Sequence, residues 1–64
     1  MNLKKYLTRR NMTKYYLSKI SGVPKEIIVD ICAGRVRMED CDEDIVRQLA
    51  DALECTVEYV RRSE

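Results

Sequence analysis

The sequence predicts an all-α fold of five short helices. Three observations lead there. Apolar residues recur at helical spacing, as in Leu3, Tyr6 and Leu7 or Val46, Leu49, Ala50 and Leu53. Capping residues and glycines stand where those stripes begin and stop, at Thr13, Gly22, Gly34, Asp42 and Thr56. No segment fits the pattern of a strand.

The first helix is expected over residues 3–10, with Lys4, Lys5, Arg9 and Arg10 off its apolar stripe and "RNM" breaking it. Thr13 suits the N-cap of the second, because a hydroxyl there can accept from a free amide of the first turn. Met12 is placed to staple onto Leu17. That helix runs to about Ile20, and Gly22 suits the left-handed conformation that ends a helix. Pro24 suits the first turn of the third helix, where its missing N–H costs nothing. Ile28, Ile31 and Cys32 share one face, Ile27 flanks it, and Gly34 closes the helix. "RVRMEDC" reads as a loop. Asp42 is the expected cap of the fourth helix, with Cys41 stapling onto Val46 and Ile45 and Ala52 on the flanks. Thr56 caps a last helix over 57–61, with Val57 and Val60 turned to the core; "RRSE" is expected to fray. The predicted core is Leu7, Leu17, Val23, Ile28, Ile31, Leu49 and Leu53.

Length and composition narrow the function. With 64 residues the chain reads as one domain, 1–64. A domain this small buries only about 60% of its unfolded surface, which leaves no room for a deep enzyme pocket. There is no His, no phosphate-binding loop and no Cys-x-x-Cys pair. Catalysis, metal binding and cofactors are therefore not expected. Three cysteines, at 32, 41 and 55, form no closed disulfide framework and read as small buried hydrophobes. No apolar run approaches the roughly 18 residues of a membrane span, and "MNLKKYLTRR" has no apolar signal core. The expected location is the cytoplasm.

The net charge of +1 conceals an uneven layout. Residues 1–38 carry nine basic and two acidic residues, a net +7; residues 39–64 carry three and nine, a net −6. Such a split points to an electrostatic partner or to scattered solvated charge.

Two helices joined by a short Gly-containing turn form a helix-turn-helix, here over about residues 13–34. At this point the chain resembles the phage-repressor-like (Cro/CI, XRE-type) regulators. "MTKYYLSKISGVPKEIIVDICAGR" is similar to their motif through Thr13, Leu17, Ser18, Ser21, Gly22, Val23, Ile28, Ile31 and Gly34. "IVRQLADALECTVEYV" resembles their closing helices through Leu49, Ala50, Ala52, Leu53, Cys55, Thr56 and Val60. The resemblance implies a five-helix, lambda-repressor-like DNA-binding bundle whose third helix reads DNA. It implies phosphate contacts at Thr13, Lys14, Arg35 and Arg37, and base contacts at Lys25, Glu26, Ile27 and Asp30.

Departures from the family pattern sharpen the question. Glu26, Ile27 and Asp30 stand where polar or basic residues are usual. "EDCDED" puts five acids in six residues near the loop that should approach phosphate. Cys32 replaces a frequent Glu of a buried ion pair, a swap that can be neutral for stability. Glu54 replaces a usual Gly, at a cost of about 1 kcal/mol if its backbone is left-handed.

Each residue keeps two readings. Lys25 can donate to guanine O6/N7 or to phosphate, and Glu26 and Asp30 can accept from cytosine N4. Ile27 can meet a thymine methyl or pack at the core edge. Tyr15 and Tyr16 can bond phosphate, though packing on a neighbouring helix is the favoured reading. The acidic segment is a solvated helix start or a docking site. The expected function is a sequence-specific DNA-binding transcriptional regulator, a small repressor or autoregulator, acting as a homodimer on a two-fold operator in double-stranded DNA. The alternative is a protein-interaction module, an antitoxin or adaptor, whose acidic half binds a basic partner. With no ligand-sensing domain expected, control would come from concentration, proteolysis or a partner.

Overall fold

The computed structural model describes residues 1–62. They form α1 (Leu3–Arg9), α2 (Lys14–Ser21), α3 (Lys25–Cys32), a short 3-10 turn (Met38–Asp40), α4 (Glu43–Leu53) and α5 (Val57–Arg61), with no strand among them. The expected all-α bundle is the fold that forms. α2 packs against α3 and α4, α1 against α3, and α4 against α5. Ser63 and Glu64 of "RRSE" lie outside the described residues; Arg61 closes α5 and Arg62 is its C-cap.

The core is aliphatic, as four Tyr and no Phe or Trp require. Leu17, Ile28, Leu49, Val23, Val46 and Val60 are its largest fully buried side chains. Ile31 is only half-buried, because it sits at the edge of the α3 stripe rather than its centre. Met38 is buried although it stands in a charged loop: the 3-10 turn packs on α5 and drives it inward.

The helix ends follow from single residues. Thr13 and Thr56 cap α2 and α5 through Oγ1, accepting from the Tyr16 and Tyr59 amides at 3.0 and 3.1 Å. Asn2 caps α1 in the same way, accepting from the Lys5 amide at 3.0 Å. Asp42 holds the cap position of α4, but its side chain accepts no bond there; its contribution is the backbone carbonyl, 3.1 Å from the Val46 nitrogen. Pro24 falls one place earlier than expected, at the cap of α3, where its carbonyl accepts from the Ile27 and Ile28 amides.

At the C-termini, α1 and α3 end in the same reversal. Asn11 (φ 55°) and Gly34 (φ 82°) adopt the left-handed conformation. The next amide, Met12 or Arg35, then folds back onto the carbonyl of Leu7 or Asp30, at 2.9 Å in both cases. This is the double-bonded C-cap that satisfies otherwise orphaned carbonyls. Glu54 does the same for α4 at φ 58°, with Cys55 N–H on the Ala50 carbonyl at 2.9 Å. The Met1 ammonium, at the other end of the chain, donates to the Val60 and Arg62 carbonyls and so meets the negative end of α5.

Candidate nucleic-acid interface

The turn between α2 and α3 fixes the angle at which α3 meets solvent. Gly22 (φ 76°) ends α2 with its N–H on the Ser18 carbonyl at 3.0 Å. Val23, buried in the core, anchors the turn, and its amide donates to Ser21 Oγ at 3.1 Å. Gln48 of α4 reaches across and donates to the Ser21 carbonyl at 3.4 Å. A Cβ at Gly22 would stand 3.3 Å from that same Gln48 Nε2, the movable end of an exposed side chain, so the left-handed φ rather than lack of space is what favours glycine there. Gln48 gave no sequence signal, because a polar residue on an exposed helix face looks like any solvated residue.

Ile28 is the one fully buried residue of α3. At 3.6 residues per turn, a residue two places away lies roughly 200° round the axis. Glu26 and Asp30 therefore point away from the core, side by side on the outward face. They are also four residues apart, a like-charge spacing that is mildly unfavourable on a helix. Ile27 is half-buried and packs against the core, which leaves only its edge to solvent.

The basic residues fall into two groups. Thr13, Lys14 and Lys25 line one groove, joined by Lys4 from α1 and floored by Val29 and Cys32. All four polar residues are exposed. Thr13 Oγ1 already accepts from Tyr16 N–H, which leaves its own hydrogen to donate outward. Arg35 and Arg37 lie beyond the end of α3, and neither stands alone. Arg35 Nη1 is 3.2 Å from Asp30 Oδ1, and Arg37 Nε is 3.1 Å from Glu39 Oε1. Both pairs are open to solvent, where such bridges contribute about 0–1 kcal/mol. Thus the structure joins two residues assigned different roles by the sequence, Arg35 and Asp30, and uses one acid of the acidic segment to balance Arg37.

The tyrosines differ from the favoured reading. Tyr15 and Tyr16 are 58% and 53% exposed, since Leu17 alone of α2 is fully buried and the residues one and two places before it turn outward. The Lys19 ammonium lies 5.1 Å from the Tyr15 ring centroid. The cysteines are free and half-buried. Burial pushes the Cys32 thiol above its ordinary range, opposed by the nearby Lys14 and Lys4 charges. Burial also raises Cys41, helped by Asp40 and Asp42. Among the described residues no cluster of His, Cys, Asp or Glu could hold a metal ion. Among them, too, no helix is long and apolar enough to cross a membrane.

The arrangement presents one short helix to solvent, with hydrogen-bonding groups along its outward face and cations at both sides. Such a helix fits the major groove of a duplex, with the flanking cations near phosphate. The family model described as a Cro/C1-type HTH DNA-binding domain matches residues 2–58. Comparison with curated proteins and with solved structures gave no match.

Proposed function

Because the chain belongs to the Cro/C1-type HTH DNA-binding family, we propose that it is a sequence-specific transcriptional regulator, a small repressor or autoregulator that works as a homodimer on a two-fold operator. The observation that carries this reading is the solvent-facing α3, held by a turn locked from both sides through Val23 and Gln48. Lys14 and Thr13 donate to one phosphate stretch and Lys25 stands over the same groove, at the boundary of backbone and bases. Arg37 serves the opposite strand. Glu26 accepts from cytosine N4 and, by its charge, disfavours bulk DNA.

One observation favours the rival reading of a protein-interaction module. The outward face of α3 carries two carboxylates, and both arginines beyond it are already paired with acids. One experiment separates the two. An electrophoretic shift at low salt compares the DNA upstream of the protein's own reading frame with a random duplex of equal length. The regulator retards both and prefers its own DNA; the interaction module retards neither.

A further inference from the structure

The pairing of Arg35 with Asp30 has a geometry that a simple surface ion pair lacks. Gly34 turns the chain back on α3, so Arg35 N–H lands on the Asp30 carbonyl at 2.9 Å. The guanidinium of the same residue then meets the Asp30 carboxylate at 3.2 Å. Residue 30 thus holds residue 35 twice, at the backbone and at the head group. Asp30 is on the outward face of α3, so the guanidinium is drawn over that face.

We propose that Arg35 reads guanine in the major groove and that Asp30 is the positioning residue that fixes its guanidinium plane. This rests on the DNA-binding reading above and assigns part of its specificity to a residue outside the recognition helix. The carboxylate cancels most of the long-range pull of Arg35 on phosphate. It leaves the directed donors intact. A guanidinium has five N–H groups in a rigid fork, and the Asp30 bond engages only Nη1. The rest of the fork still offers two parallel donors for guanine O6 and N7, the pairing that a planar bidentate group makes best. A phosphate contact needs neither a fixed plane nor a nearby acid. Arg37 shows the contrast: its partner Glu39 belongs to the 3-10 turn and not to α3. Glu26, one turn before Asp30 on the same face, offers acceptors only. The two together suit a G·C-rich half-site.

The test is a selection from randomised duplex DNA with wild type, Arg35→Lys and Asp30→Asn, together with each protein's affinity for random duplex and its thermal melt. Wild type should enrich guanine at one position per half-site. Arg35→Lys keeps the charge and loses the fork; its guanine preference there should fall about tenfold or more, with random-DNA affinity held within about twofold. Asp30→Asn should weaken the same preference and strengthen random binding, since the arginine is freed toward phosphate. Neither change should move the melt by more than the small contribution of a solvent-open bridge. An unchanged motif for Arg35→Lys overturns the assignment and makes Arg35 a phosphate contact. An Asp30→Asn protein with the preference and background of wild type removes Asp30 from the mechanism. If wild type retains no duplex at all, the proposed function falls first and this inference with it.

Discussion

At the scale of single residues, two thiols, Cys32 and Cys41, and Tyr6 tie the fold to alkaline pH. Cys32 and Cys41 hold their protons above the ordinary thiol value of 9.0, chiefly because they are buried. Tyr6 does the same above 10.0, through burial and its contact with Cys55. A folded-state pKa raised above the unfolded value means that the folded chain binds the proton more tightly. The stability from this source is fully present below about pH 9 and is lost as pH climbs through the folded values. The melting temperature should therefore decline as pH rises above about 9, and Cys32→Ala with Cys41→Ala should shallow that decline. Thermal melts across the range check it; identical slopes for both proteins would count against the two thiols. The tie between Arg35 and Asp30 belongs to this scale too. It was not legible in the sequence, because residues five apart do not share a helix face. Only the reversal at Gly34 brings them together.

At the scale of elements, what the sequence revealed was the set of helix ends that depend on one residue's chemistry. Thr13, Gly22, Gly34 and Thr56 act where their types predict, and the α4 stripe of Val46, Leu49, Ala50 and Leu53 is buried throughout. What stayed hidden depends on tertiary context. Asn2 caps α1 from a position with too little chain before it to show a pattern. Asp42 has the right residue type, yet its side chain makes no cap bond. Met38 stands in a charged loop, and no helical periodicity marks it as core. Of the interface, the α2–α3 frame was legible from its turn, whereas the exposure of Tyr15 and Tyr16 was not, since aromatic residues suit burial as readily. Glu54 allows a direct test of the element rule. It holds φ 58° at the end of α4, where only glycine is free of steric cost. Glu54→Gly should stabilise the fold by about 1 kcal/mol, the left-handed penalty less some gain in unfolded-chain entropy. Urea denaturation measures it; a destabilised Glu54→Gly protein would show that the Glu54 side chain contributes more than its backbone costs.

At the scale of the whole molecule, a net charge of +1 gives little attraction for bulk DNA. Affinity must then come from placed cations rather than from the total. With about three to four phosphates neutralised per protomer, binding should fall with a log–log salt slope near −3 to −4 per protomer. Lys14→Ala should flatten it by about one unit and weaken all sequences alike. Fluorescence anisotropy over a salt series reads both effects, and an unaltered slope for Lys14→Ala would take that residue out of the interface. The arrangement of α3 carries a further meaning. Ile28 is its single fully buried anchor, and the turn before it is secured by Val23 and Gln48. The groups we propose to meet DNA, Lys25, Glu26 and Arg35, are exposed and carry no core packing. Selection can thus rewrite what the protein recognises without spending stability, one substitution at a time. On that proposal, a chain built on this frame can change the DNA it prefers while its bundle stays the same.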